Sequence, residues 1–448
     1  MIASGARRAD LRGATAPAAG TGVARRVQWV KRNAAIVGVL AAVGLTMIAW
    51  SVVVPAWESA DEPTHWAYAG YIHDHGALPP YQVLPLAAYE PPLYYVLISP
   101  LAGGGLRGDQ VAGGGGGPRC CAVAASDLVD NAALHLARLA TVVISLLTVF
   151  FVYLAACEAT GRRTTGVVAA ILIGLWPEFA FRGMTVSPDA LVAMAGAAAT
   201  YLIVRGVRRG FSRRLSLVIG ITIGVAILSK LTGPAVLAGA AVAILSERGA
   251  GIGRRLSRLG PLLLAPAMIA PWLLYNQVRY GAPYAKIGAT VVAAGAVHVH
   301  SLFSTYFLFQ FPGLLLLSSI GLFGWSNIPL PPLLYAAYGL IIAAVTVGVY
   351  VIVRWQTASR RLVLAMMSIV AASVGGAVVV NLTYQQPVGR YLFPALGAIG
   401  VLGAMGMEQI PRWREHERAA AGILFAVMVA LHVVILATVV YPAYAAAS

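Results

Sequence analysis

Apolar runs long enough to cross a bilayer recur along nearly the whole of this sequence, separated by short clusters of arginine. A helix needs roughly 17–25 apolar residues to span the hydrocarbon core, and within that core only helices or closed barrels satisfy their own backbone polar groups. Composition agrees with the runs: 59% of the 448 residues are hydrophobic and 11% charged, and the mean hydropathy is +0.79. Soluble domains carry about a quarter charged residues, so a water-soluble fold is excluded. The expected fold class is all-α, a polytopic transmembrane helical bundle.

A net charge of +16 could suggest nucleic acid, but its distribution argues for topology instead. Arginines gather before the first apolar run, at 162–163, and within 205–214, 248–258, 354–361 and 412–418, alternating with connections poor in Lys and Arg. That is the positive-inside pattern. It sets the N-terminus in the cytoplasm and most acidic residues outside, and no nucleic-acid partner is expected. About eleven spans follow from this count: 33–54, 134–156, a third ending near Trp176, a fourth ending near Arg205, a tight hairpin of two over 215–245, then 261–276, 333–353, 362–381, 391–407 and 420–441. The apolar piece 302–323 is read as re-entrant or interfacial, since a further crossing there would put the 354–361 arginines outside. Its neighbour Gly321-Leu322-Phe323-Gly324-Trp325 suits the headgroup zone.

The expected domain plan has a disordered basic cytoplasmic tail over 1–32 in place of a cleavable signal. One transmembrane unit over 33–441 follows, with a short outer tail over 442–448. The first extracytoplasmic loop, 55–132, is the longest connection and includes a flexible Gly-rich flap at 103–117; a second large outer stretch covers 277–332. Loops beyond roughly 12–15 residues are usually functional or disordered. No internal repeat is evident, nor the matched broken helices of transporters. Cys120, Cys121 and Cys157 are too few for a disulfide framework or zinc site.

Chemistry concentrates in the first loop, where five carboxylates and three histidines fall between Pro55 and Tyr95. Asp61 and Glu62 stand a few residues past the first span, at the membrane interface, where a partly desolvated carboxylate can accept a proton from a hydroxyl. The pair, with His65, could equally hold a divalent cation. The bland alternative is a capping box, Ser59-x-x-Glu62, opening a short helix that Gly76 ends. Downstream, Glu90 and the aromatics Tyr94 and Tyr95 flank a rigid di-proline and offer stacking faces with hydroxyls. Asp189 follows Ser187-Pro188 at a helix start, where capping is the default. Lys230, one of three lysines, sits in an apolar hairpin and needs an anionic partner. Arg390, followed by Tyr391, opens a span on the same side, and its planar fork suits phosphate. His73, His75, His298 and His300 read as surface residues.

The Asp-Glu pair after the first span, Pro91-Pro92-Leu93-Tyr94-Tyr95, Ser187-Pro188-Asp189 and Gly389-Arg390-Tyr391-Leu392-Phe393-Pro394 together resemble the GT-C superfamily. Within it the chain is similar to a bacterial membrane-protein family of unassigned function, related to the dolichyl-phosphate-mannose protein mannosyltransferases. The resemblance covers roughly 33–407. It implies a bacterial plasma-membrane glycosyltransferase that moves a sugar from a polyprenyl-phosphate donor to an acceptor hydroxyl at the extracytoplasmic face, with membrane lipids around it. Asp61 would be the base, Glu62 would orient the acceptor or bind a metal, and Lys230 and Arg390 would steady the departing phosphate. His65, Glu90, Tyr94, Tyr95, Asp189 and Tyr391 would contact substrate. No cofactor is required by the sequence; Mg or Mn, held by Asp61 and Glu62, is the one candidate. The Gly-rich segment and the lack of an expected soluble domain after the last span depart from the pattern. A carrier or flippase for a lipid-linked or small anionic substrate is the alternative, and an inert scaffold a third.

Overall fold

With apolar residues on every side, most segments of this chain bury their backbone polar groups by coiling into helices. The computed structural model describes residues 22–84, 87–102, 131–283, 301–357, 359–383 and 385–445. The Gly-rich flap, Cys120-Cys121, His298 and His300 lie outside the described residues. In chain order the helices are α1 (Gly22–Val53), α2 (Glu62–His75) and α3 (Leu93–Ile98), then α4 (Asn131–Thr160), α5 (Arg163–Gly174) and α6 (Pro177–Met184). Next come α7 (Asp189–Arg209), α8 (Arg213–Ser229), α9 (Ala235–Leu245), α10 (Ile252–Leu259) and α11 (Leu264–Tyr280). The last part has α12 (Tyr306–Ile320), a strand pair, α13 (Pro332–Trp355), α14 (Arg360–Thr383), α15 (Gly389–Met407) and α16 (Glu417–Ala445). The two strands, Leu322–Phe323 and Ile328–Pro329, are antiparallel, with Phe323 opposite Ile328.

Among the described residues, eight helices are long and apolar enough to cross a membrane, counting α10 and α11 as one, or nine if the bent α5–α6 pair is a single span. The chain is therefore a polytopic all-α membrane bundle. α5 and α6 meet at 68°, where Trp176 stays extended and Pro177 starts the new helix. α12 is one of the shorter apolar helices. Two expectations are corrected. α1 begins at Gly22, so the end of the basic tail is helical, with non-helical geometry at Asn33 marking the bend. The Gly321-to-Trp325 stretch belongs to the strand pair, and Phe323 is fully buried against Trp50 and Phe181, at ring distances of 4.7 and 5.4 Å. A ring with its own aromatic pocket gains more there than in the headgroup zone.

α7 and α15 are the most enclosed of the long helices, and small residues let them in. A Cβ on Gly196 of α7 would lie 2.4 Å from the Pro394 carbonyl oxygen, and one on Gly348 of α13 would lie 2.1 Å from that of Gly406. Such approaches are how helices associate where lipid removes the usual hydrophobic drive. At the far end of α15, Arg162 pairs with Glu408 at 3.1 Å and with Glu417, tying the α4–α5 turn to α15 and α16.

The segment between α1 and α2 is held from every side. Arg138 of α4 is fully buried and spends all five guanidinium donors on it: Nε and Nη2 on the two Glu62 oxygens at 2.9 and 2.6 Å, the rest on the carbonyls of Ser51, Val54 and Pro55 at 2.9–3.0 Å. Trp325 Nε1 donates to the Trp57 carbonyl at 3.1 Å, Tyr444 Oη to that of Glu58 at 3.1 Å, and the Ala60 amide to that of Gly324 at 3.2 Å. Removing one partner of a buried ion pair costs about 3–5 kcal/mol, because it strands the other charge. Arg138→Met should therefore lower the unfolding temperature in detergent sharply, and Arg138→Met combined with Glu62→Met should recover much of the loss.

Candidate active site

Fixing the α1–α2 segment forces Asp61 into the left-handed region, at φ 68°, with Trp57 at φ 71°. Such backbone costs about 1–3 kcal/mol per non-glycine residue and gathers at functional sites. The expected capping box does not form. Ser59 Oγ instead hydrogen-bonds Thr185 Oγ1 at 2.9 Å, Glu62 turns to Arg138 and also accepts from the Val186 amide at 3.2 Å, and Asp61 holds the cap position without a side-chain cap. Gly76, at φ 62°, does end the helix. Glu62 is thus a structural anchor with both oxygens used.

Asp61 is paired across 329 residues with Arg390, on the turn that opens α15. That turn is seated by Gly389, where a Cβ would come within 2.3 Å of Ser319 Cα on α12. Arg390 Nη1 also lies 3.7 Å from Asp189 Oδ2, and Lys230 Nζ donates to Asp189 Oδ1 at 2.6 Å. Ser187 Oγ donates to Asp189 Oδ2 at 3.0 Å. Four sequence-predicted residues thus form one chain, Asp61–Arg390–Asp189–Lys230, in which two carboxylates balance two cations. Asp189 is the bridge of this chain, not a cap. The cations expected to stand ready for phosphate are already occupied by carboxylates, as burial of unpaired charge would be costly. Asp61 keeps 39% of its side chain accessible, whereas Asp189 is fully buried.

Glu90 and His65 complete the cluster. Among the described residues the Glu90 carboxylate has no hydrogen-bond or ion-pair partner; burial raises its pKa above the ordinary range, against the pull of Lys230. Burial also raises that of Asp61, but Arg390, with His65 and Arg182, outweighs it and holds the carboxyl below the ordinary range. The His65 imidazole is pushed down to about 4 by burial first, with Lys230 and Arg390 adding to it and Asp61 and Asp189 opposing. It is neutral at pH 7.

The aromatics expected to contact substrate are buried. Tyr94 and Tyr95 are fully buried. Tyr94 Oη hydrogen-bonds Thr141 Oγ1 at 2.9 Å, and Tyr95 stacks on Tyr68 at 3.9 Å, so neither ring has a face open to a sugar. Tyr391 is turned into packing with its hydroxyl donating to Gln386 Oε1 at 2.5 Å. His73 Nδ1 donates to the Ser99 carbonyl at 2.9 Å, and His73 and His75 are both exposed, as surface residues. Sequence reasoning missed Arg138 and the fully buried pair Glu178–Arg182, 3.0 Å apart, whose Glu178 accepts from the Leu322 amide at 3.1 Å. A lone charge inside an apolar run was the available signal. Among the described residues, no group of three or more His, Cys, Asp or Glu side chains gathers at metal-ligand spacing.

Beside the cluster lies an apolar cavity of about 490 Å³ between α5, α12, α13, α14 and α15. Its walls include Trp176, Phe179, Phe311, Leu315, Leu392 and Phe393, and it reaches Gly389, next to Arg390.

Residues 125–303 match the family model described as dolichyl-phosphate-mannose-protein mannosyltransferase. No curated protein sequence matches the chain significantly. Among solved structures, ArnT from Cupriavidus metallidurans superposes at a TM-score of 0.50 and 15% identity; its undecaprenyl-phosphate-bound form covers 91% of this chain and 74% of its own, its apo form 92% and 74%. The Archaeoglobus fulgidus oligosaccharyltransferase, tethered to an acceptor peptide, aligns over 94% of this chain at 15% identity and a TM-score of 0.45. This chain spans 55% of that protein's length. The likeness to ArnT is one of fold, and it agrees with the GT-C resemblance carried by the sequence motifs.

The pairing of Asp61 has a pH signature. A carboxyl whose folded pKa lies below its unfolded value, about 3.9, contributes stability that is complete above that value and is lost as pH falls through the folded one. Arg390→Gln should lower the unfolding temperature by a constant margin at pH 6–8, and the margin should shrink below about pH 4. A margin that grows on acidification would contradict the pairing.

Proposed function

From a chain with the GT-C membrane glycosyltransferase fold, we propose transfer of a sugar from a polyprenyl-phosphate donor to an acceptor hydroxyl at the extracytoplasmic face of a bacterial plasma membrane. The observation that carries this is the adjacency of the Asp61–Arg390–Asp189–Lys230 chain to the apolar cavity that reaches Gly389. A lipid phosphate needs both halves, a cation for its head and a dry slot for its tail.

In this reading the donor phosphate competes with Asp61 for Arg390. Once Arg390 turns to phosphate, Asp61 loses the charge that keeps it a weak base and takes the proton of the acceptor hydroxyl. The acceptor oxygen bonds to the anomeric carbon, and the carbon–oxygen bond to phosphate breaks. Negative charge grows on the departing phosphate, where Arg390 and Lys230 oppose it. Glu90, without a partner among the described residues and with a raised pKa, is the second carboxylate available to hold a sugar hydroxyl or the proton. For a divalent cation the candidate ligands reduce to Asp61 and Glu90, since Glu62 is committed to Arg138. Adding Mg or Mn to chelator-treated protein tests that part.

The topology belongs to the same proposal: eleven crossings with the N-terminus inside, α8 and α9 forming a short hairpin whose tip carries Lys230, and 33–441 acting as one unit. A carrier for a lipid-linked anion would use the same cluster to hold its cargo without turnover.

Purified protein offered a radiolabelled polyprenyl-phosphate sugar and a mixed acceptor extract should release polyprenyl phosphate. Asp61→Asn should reduce that release about 10²–10⁴-fold, the usual contribution of a positioned base, with the protein still folded at the assay temperature and its unfolding temperature lowered no further than in Arg390→Gln. Full activity in this variant would remove Asp61 from the role, and binding without turnover in the native protein would favour the carrier.

A further inference from the structure

His65 sits on the first turn of α2, 4% exposed, among groups of both signs. Asp61 faces it from its own helix start, Asp189 from α7, Lys230 from the end of α8, and Arg390 from the start of α15. Its Nδ1 is 2.8 Å from Tyr95 Oη, while its Nε2 is buried and has no hydrogen-bond partner among the described residues. Arg390 Nε shares that condition.

The His65–Tyr95 contact holds one proton, and there are two ways to place it. If Nδ1–H donates to Tyr95, the buried phenol hydrogen and the bare Nε2 both go unpaired. If Tyr95 donates to Nδ1, the phenol is satisfied and the single unmatched group is Nε2–H. A buried unmade hydrogen bond costs more than most made ones gain, so the second arrangement is favoured. Tyr95 is well placed to enforce it, since its ring is clamped by Tyr68 at 3.9 Å and by Tyr94 at 5.7 Å. The result is two N–H donors, on His65 and Arg390, with no acceptor among the described residues. Their complement is a group that only accepts, which describes phosphate oxygen better than a hydroxyl bearing its own hydrogen.

We propose that Tyr95 fixes His65 as the Nε2–H tautomer and that this neutral N–H, with Arg390 Nε–H, binds a phosphate oxygen in the cluster. The ligand assignment rests on the lipid-phosphate reading above, and the tautomer does not. A neutral donor has a specific advantage here. It adds a hydrogen bond to the phosphate without adding a third cation to a cluster already balanced, and the imidazole is not drawn into competing with Asp61 for the acceptor's proton.

The test is ¹⁵N NMR on full-length protein labelled at histidine, in nanodiscs, with the His65 signals assigned by their loss in His65→Gln. The Nε2–H tautomer should be present across about pH 6–8 and should mix with the other in Tyr95→Phe. A predominant Nδ1–H form, or an imidazolium, overturns the proposal. Undecaprenyl phosphate and inorganic phosphate are then titrated separately. A shift of the Nε2–H signal with the lipid alone assigns the site to a lipid phosphate, and a shift with both assigns it to phosphate from either source. No shift with either overturns the ligand assignment. In binding measurements His65→Phe should weaken undecaprenyl phosphate about tenfold or more, the effect of losing one charge-assisted hydrogen bond, whereas His65→Gln, which keeps an N–H at similar reach, should lose far less. Equal affinities of His65→Phe and the native protein would also overturn it. Absence of sugar transfer alongside a phosphate-induced shift would remove the transferase reading and leave this one standing.

Discussion

The guanidinium of Arg138 sets the geometry from which the rest of the cluster follows. A charge this deep in an apolar bundle is tolerable only if every donor is answered, and here three backbone carbonyls and the two oxygens of Glu62 answer all five. Those carbonyls belong to the last turn of α1 and the residues just beyond, where a helix leaves its carbonyls without partners of its own. Arg138 therefore does two things at once. It terminates the first span and it fixes where α2 begins, and Asp61 is caught between the two in a backbone conformation that few side chains accept. The strain at Asp61 is held by contacts from α4, α6, α16 and the strand pair.

Charge balance is the second constraint. The cluster at the top of α15 has equal numbers of carboxylates and cations in its central chain, so it is stable without a ligand, and only Glu90 stands outside the pairing among the described residues. A site of this kind is closed by its own ions. An anion enters by exchanging with a carboxylate, which makes the chemistry conditional on the arrival of the ligand. The neighbouring cavity has no such lock: its apolar walls need only a hydrocarbon to fill them.

Much of this was legible in the sequence, and what was not has a physical reason. Apolar run length and arginine spacing gave the bundle and nearly every helix, because in lipid these two terms dominate. Asp61, Asp189, Lys230 and Arg390 could be singled out because charge is rare and each sits at the end of an apolar run. That they meet could not be read, since Asp61 and Arg390 are 329 residues apart and no local pattern encodes a contact at that range. Glu62 and Asp61 look alike in sequence; one residue of backbone turns the first into the core and the second toward the surface. The burial of Tyr94 and Tyr95 was hidden for a related reason. An aromatic beside a di-proline looks like an open stacking face, and nothing local in the sequence shows that Tyr68, from the middle of α2, covers the Tyr95 ring.

The long separations also order the assembly of the protein. Chains are made at roughly 5–20 residues per second, so Glu62 waits about 4–15 s for Arg138, 76 residues later, while Asp61 waits about 15–65 s for Arg390. During that interval α1, α2 and α4 are already joined through Arg138, and the only cation acting on Asp61 is Arg182 of α6, whose pull is weaker. The site is thus completed last, by the insertion of α15. A nascent chain halted before that point would carry Asp61 without its principal ionic partner.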